Sequence, residues 1–165
     1  MAGKKAAPRT WRDIVASSLD WEQAHVSLER ALKGITPAQR TRRPKGFEHS
    51  IWDQVEHIRL AQWDLLDFLR NPKYKERLKW PDDYWPKRSA KPTGRQWKAS
   101  LAQLRRDARA VARFAASHRG DLTKRIPHGT GQTYLRTVLV TVVHNSYHTG
   151  QIVALRKAMG AWPPR

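Results

Sequence analysis

The stretch QTYLRTVLVTVVHNSYHTGQIVALRKAM, Gln132 to Met159, decides how the rest of the chain is read. Its first half, Thr137 to Val143, is rich in β-branched residues and on local propensity alone would suit a strand. Length argues otherwise. About 28 residues run without a proline, and Thr137, Thr141, His144, His148, Ile152, Leu155 and Met159 recur at helical spacing on one face. Gly160 and Pro163-Pro164 then close the segment. The reading is a helix over 132–159, apolar on several sides and so either deeply buried or at an interface between copies.

Working outward from it, Thr93 with Gln96 forms a capping-box pattern ahead of Trp97, Leu101, Leu104, Ala108, Val111 and Ala115, which predicts a helix over 94–118. Ser50 caps a segment with Ile51, Val55, Ile58, Leu65, Leu66 and Leu69 on one face, predicting a helix over 51–70 that Asn71-Pro72 ends. Thr10 and Asp13 open a further apolar repeat, Trp11, Ile14, Val15, Ser18, Trp21, Leu28 and Leu32, read as one helix over 11–33 and stopped by Gly34. Residues 73–92, with the cluster Trp80-Pro81-Asp82-Asp83-Tyr84-Trp85-Pro86, read as a long ordered loop of the kind that forms lids or packed connections. Four long helices and no credible strand predict an all-α four-helix bundle, one domain over 10–165 behind a basic tail at 1–9.

Composition limits the chemistry. The 165 residues include no cysteine, so disulfides, thiolate metal sites and cysteine nucleophiles are excluded, and a transition metal must be held by nitrogen and oxygen. Nothing reads as a secretory signal or a membrane span, so no membrane partner is expected and a cytoplasmic protein is the default reading. Lys and Arg outnumber Asp and Glu by 32 to 14, a formal charge of +18. Because residues such as Arg105, Arg106, Arg109 and Arg113 read as scattered rather than blocked, a solvated basic surface with weak, sequence-independent nucleic-acid binding is expected. The eight tryptophans read mostly as core or loop anchors.

Against that background the histidines stand out. His144 and His148, four residues apart, project from one side of a helix and fall within its apolar stripe. Two buried imidazoles need partners. A shared metal ion satisfies both, and so do hydroxyls or water, an alternative that spacing alone leaves open. His57 lies at the edge of the apolar face over 51–70, with Asp53 one turn before it and Asp64 two turns after, either able to orient an imidazole or to ligate. His25 falls on the face over 11–33 near Glu22 and Glu29 and is a candidate proton acceptor or pocket residue. His49, His118 and His128 sit at helix ends or loops and read as solvent-facing.

The segment His144-Asn145-Ser146-Tyr147-His148-Thr149-Gly150-Gln151-Ile152, continued by Leu155-Arg156 and Met159-Gly160-Ala161-Trp162-Pro163, resembles the last helix and tail of the DinB-like (DinB/YfiT) superfamily. Ser50-Ile51-Trp52-Asp53-Gln54-Val55-Glu56-His57-Ile58 resembles that family's first metal-ligand helix, and the Trp80–Pro86 loop occurs in one of its branches. The resemblance implies a four-helix bundle of up-down-down-up type, often a homodimer, in which one histidine of the second helix and an HxxxH pair of the last bind a divalent metal. By position these are His57, His144 and His148.

Three imidazoles leave an ion with open positions, the arrangement of a catalytic rather than a closed structural site, and suit zinc, nickel or iron. The resemblance implies activities that include transferases using a low-molecular-weight thiol and metal-dependent hydrolases, each acting on a small-molecule substrate. The competing classes are a non-enzymatic metal or ligand binder and a basic nucleic-acid-binding bundle. Within the enzyme reading, the candidate catalytic residues are His25, Asp53 and Asp64, and Arg59 or Arg156 is expected to draw carboxylates to the cavity mouth.

Overall fold

The computed structural model describes residues 10–20, 22 and 24–164, so the basic stretch 1–9, Trp21, Gln23 and Arg165 lie outside the described residues. In chain order the helices are α1 (Trp11–Ser17), α2 (Leu28–Leu32), α3 (Pro37–Thr41), α4 (Ile51–Arg70), α5 (Gly94–Ser117) and α6 (Tyr134–Ala158), with 3-10 turns at Ser18–Asp20 and Asp82–Tyr84. No strand forms among the described residues; extended pairing is limited to an isolated bridge between Arg125 and Thr133. No helix among them is long and apolar enough to cross a membrane.

α4 and α5 start at their expected caps, and α6 at one the sequence reading did not name. Ser50 accepts from the Asp53 amide at 3.3 Å while the Asp53 carboxylate takes the Ser50 amide at 2.7 Å, and Thr93 and Gln96 do the same for α5 at 3.2 and 2.9 Å. Thr133 caps α6 through the Arg136 amide at 3.1 Å. At the other end of α6, Gly160 takes a φ of +67°, and the Ala161 and Gly160 amides return to the carbonyls of Arg156 and Lys157 at 2.8 and 3.0 Å. That is a Schellman stop, which a side chain at Gly160 would strain.

The helix expected over 11–33 is not continuous. The ladder ends where Ser17 and Ser18 turn their hydroxyls back onto the carbonyls of Ile14 and Val15, at 2.9 and 2.6 Å, offering the backbone a local alternative. A new helix begins only at Ser27, whose hydroxyl accepts from the Arg30 amide at 3.3 Å. His25 therefore lies in the irregular link rather than on a helix face.

The central helix is α4, packed along both α5 and α6; α1 lies against α5 and α2 against α6. The apolar core comes in two parts. One gathers Ile51, Val55, Ile58, Trp97, Leu104, Ile152 and Leu155; the other gathers Leu66, Leu69, Ala110, Val111, Ala115, Ile126 and Val138. Between them the same three helices bury polar groups: Gln62 on α4, Asp107 on α5, and Thr141, Asn145, His148 and Thr149 on α6. Asn145 donates to Gln62 at 2.8 Å and Gln62 donates to the Leu104 carbonyl at 2.7 Å, so this layer is stitched across all three. The expectation that tryptophans anchor core and loops holds for Trp52 and Trp97, but Trp80 and Trp11 are 64% and 47% exposed.

Candidate metal centre

Facing turns of α4 and α6 build the site. His57 projects from the middle of α4, while His144 and His148, one turn apart on α6, project towards it. Ring centroids are 4.9 Å apart for His57 and His144, 4.5 Å for His57 and His148, and 4.4 Å for His144 and His148. One nitrogen from each ring lies within 4.8 Å of the others. His57 and His148 are buried and His144 half-buried.

The protein fixes which nitrogen of each buried ring faces inward. His57 donates from Nδ1 to the Tyr84 carbonyl at 3.1 Å, and His148 donates from Nδ1 to Oε1 of Gln54 at 2.6 Å. With the proton held on Nδ1, Nε2 carries the lone pair in both. Nε2 of His57 then meets Nε2 of His144 at 3.0 Å. Neighbouring nitrogens on a tetrahedral or octahedral ion at about 2.0–2.1 Å stand roughly 2.8–3.4 Å apart, a range that the His57–His144 separation meets, and with all three nitrogens within 4.8 Å of one another the rings could close on one divalent ion.

Charge is unwelcome here. Burial first, and then the neighbouring His144, hold His57 down at about 4 against the pull of the Tyr84 carbonyl. His148 is held at about 3 by burial, with His144, His57 and His49 adding to it, and burial lowers His144 in the same direction. At neutral pH the triad is three neutral imidazoles, the form that ligates a cation without first losing protons.

The loop over 73–92 closes one side of the triad. The Trp85 indole lies flat on the His57 ring, 3.8 Å between centroids and 8° from parallel, and His49 stacks on Trp85 at 3.7 Å and 6°. Trp80 adds a tilted contact to His57 at 5.9 Å, and Tyr147 sets its edge against His148 at 5.0 Å. His49 is thus the outer leaf of a three-ring stack rather than a solvent-facing side chain. Beyond His144, α6 presents an open apolar cleft formed by Leu139, Val140, Val143 and Tyr147.

The remaining candidates lie elsewhere. Asp53 is spent on the cap of α4 and on Arg43 at 2.7 Å, and Arg43 also holds the Arg88 carbonyl at 3.0 Å. The imidazole-orienting role expected of Asp53 or Asp64 is filled by the Tyr84 carbonyl and by Gln54. Asp64 acts one step further out: it accepts from the hydroxyls of Tyr84 at 2.8 Å and Tyr74 at 3.0 Å, and so fixes the residue whose carbonyl holds His57. Burial first, then Asp64, push both phenols well above their ordinary range. His25 is exposed, with Nδ1 on the Val26 carbonyl at 2.8 Å and Nε2 on Ser146 Oγ at 3.1 Å. Ser146 sits two residues from both His144 and His148 and so on another face of α6, which keeps His25 away from the triad.

Arg59 and Arg156 are committed to protein partners. Arg59 clamps Glu56 with two bonds at 2.8 and 2.9 Å, and Arg156 is buried, donating to the carbonyls of Ala31, Lys33 and Ala161 at 2.6, 2.8 and 3.0 Å. Sequence reasoning missed Gln54, Tyr84, Trp85 and His49. For Gln54 a signal existed, a polar residue phased into the apolar face of α4 one turn before His57. The loop residues carry no periodicity from which a contact could be read.

A family model described as the DinB superfamily matches residues 20–152. No curated protein matches the chain. No solved structure does either.

Proposed function

Since the chain belongs to the DinB superfamily, we propose that His57, His144 and His148 hold one divalent ion, zinc, nickel or iron, and that the protein is a metal-dependent enzyme of the thiol-transferase or hydrolase type acting on a small molecule. The observation that carries the reading is the convergence of three imidazoles, with Nδ1 of His57 and His148 engaged outward and one nitrogen of each ring within 4.8 Å of the others. An ion bound there supplies Lewis acidity, bringing the pKa of a water or a low-molecular-weight thiol at its open position towards neutrality.

The chain's own residues set the conditions. Gln54 and the Tyr84 carbonyl keep the Nδ1 protons in place and the rings in register. Trp85 excludes water from one face of His57. In the single chain the apolar face of α6 beside His144 lies open, and in the homodimer proposed below it becomes one wall of the approach. We also read the architecture as a four-helix bundle of up-down-down-up order, with α1 and α2 sharing the place of the first helix, because α1 lies on α5 and α2 on α6.

A homodimer belongs to the same proposal. Leu139, Val140, Val143 and Tyr147 expose 41%, 36%, 66% and 63% of their surface along one side of α6. A second copy seated on that stripe buries it and walls the approach to His144. The test is twofold. Purified full-length protein, loaded with each metal in turn, should hold one ion per chain and turn over in a panel of thiols and electrophiles, and His148→Ala should lose both. Stoichiometric metal without turnover supports a non-enzymatic binder; metal content unaffected by His148→Ala overturns the site. Sedimentation should give a dimer that Val143→Glu dissociates.

A further inference from the structure

The cationic residues of α5, which read as scattered along the sequence, share one ridge. At 100° per residue Arg95, Lys98, Arg106, Arg109 and Arg113 fall within about 80° of one another. All five are exposed, and the ridge runs about 27 Å at 1.5 Å per residue. The sole carboxylate of α5, Asp107, is buried, and its Oδ1 stands 3.8 Å from Arg106 Nε. The side chains of Arg95, Lys98, Arg109 and Arg113 have no hydrogen-bond or ion-pair partner among the described residues. Arg105, at the margin, is already matched by Glu29 at 2.6 and 2.8 Å and does not belong to the stripe. Asp20 and Glu29 border it near Arg109 only.

A helix face is normally mixed in sign, because like charges three or four residues apart repel. Five cations, four of them unmatched and Arg106 facing only the buried Asp107 at 3.8 Å, with no exposed anion on the same face, are a cost to the isolated chain that a polyanion removes. Arginine dominates four to one, and its planar fork suits phosphate oxygens. The residues between the cations are small, Ala99 and Ala102 among them, so a backbone can approach closely. A helix that lies in a lipid surface would instead place large apolar side chains beside its cations, and this ridge has none.

We propose that the α5 ridge docks the phosphate backbone of nucleic acid, independently of base sequence and of the metal triad on α4 and α6. Five phosphate contacts on duplex DNA give a slope of log K against log salt of about −4.5, or roughly 500-fold between 50 and 200 mM salt. The experiment titrates the full-length protein into a fluorescent 20-base-pair DNA duplex at several salt concentrations. It compares wild type with two equally charged variants: the ridge neutralised by Arg95→Gln, Lys98→Gln, Arg106→Gln, Arg109→Gln and Arg113→Gln, and a control neutralised by Lys73→Gln, Lys75→Gln, Lys79→Gln, Lys87→Gln and Lys91→Gln in the exposed loop.

Circular dichroism checks that both variants keep their helices. The ridge variant should lose at least tenfold in affinity at 100 mM salt and most of the slope, and the control no more than about twofold. Equal losses in the two variants overturn the proposal in favour of diffuse attraction by the net charge. Absence of binding by wild type at 50 mM salt, or a preference for anionic phosphatidylserine vesicles over the duplex, overturns it as well.

Discussion

α5 and α6 are nearly the same length, 24 and 25 residues, and both pack on α4, yet they treat polarity in opposite ways. α5 is amphipathic, with Trp97, Leu104, Val111 and Ala115 inside and cations outside, and only Ser100 and Asp107 are buried polar residues on it. α6 buries Thr137, Thr141, Asn145, His148 and Thr149 while exposing Leu139, Val140, Val143 and Tyr147. A helix that obeys the burial rule keeps only its outer face for other work. One that breaks it carries polar groups inside that folding alone would not select, and a functional site is where such violations are expected. On the readings proposed above, α6 works inward and α5 outward.

The sharpest way to break that division is to remove an imidazole. His148→Ala should lower divalent-metal affinity at least a hundredfold, read by competition with a chromogenic chelator, since two ligands remain of three. Arg109→Gln on α5 should leave that affinity unchanged. If the two substitutions act alike, the site is not where the rings converge. A smaller effect is expected one layer out: Gln54→Leu keeps all three imidazoles but removes the acceptor at 2.6 Å from His148 Nδ1, and should cost ten- to a hundredfold in affinity.

How much of this was legible in the sequence follows the same line. The spans of α4, α5 and α6 could be read because apolar phase and caps agree at Ser50, Thr93 and Gly160, and His144 and His148 because their phase places them inside, whereas His57, at the edge of its face, was singled out by the family resemblance. The break in the first helix was not legible: Trp11 to Leu32 keep a helical repeat, and the hydroxyls of Ser17 and Ser18 that end the ladder look like ordinary surface residues until their carbonyl partners are seen. The stack of His49, Trp85 and His57 joins a loop to a helix end with no shared period. The basic ridge was hidden because spacings of three, eight, three and four residues look irregular in a line and align only on a helix.

Acid should separate the two helices further. Unfolded imidazoles take protons near 6.5, while His57 and His148 in the fold hold out until about 4 and 3. Between those values the unfolded chain binds more protons, so metal-free stability is fully present above about 6.5, falls as pH drops through the window, and levels off below about 3. Urea midpoints of metal-free protein at pH 7.5, 5.5 and 4.5 should therefore fall more steeply for wild type than for a His57→Leu, His148→Leu variant. The neutralised α5 ridge should not alter that steepness, because guanidinium and ammonium groups do not titrate in this range. Parallel curves for wild type and the histidine variant would mean that the rings are protonated in the fold.

The smallest effect tests whether the helices are energetically separate at all. Thr93 accepts from the Gln96 amide at 3.2 Å and Gln96 Oε1 takes the Thr93 amide at 2.9 Å, so Thr93→Ala removes one of two reciprocal bonds at the start of α5. The expected cost is about 1 kcal/mol, seen as a lower urea midpoint with an unchanged transition slope. The cap lies on a helix that contributes no imidazole, so metal affinity should stay within about twofold of wild type. The link that could carry a disturbance is the buried chain from the Leu104 carbonyl through Gln62 to Asn145, next to His144. Leu104 sits three turns beyond the cap, past the first turn of α5 that Thr93 stabilises, so fraying there should not reach it. A tenfold loss of metal affinity in Thr93→Ala would show that α5 holds the triad in register through that chain.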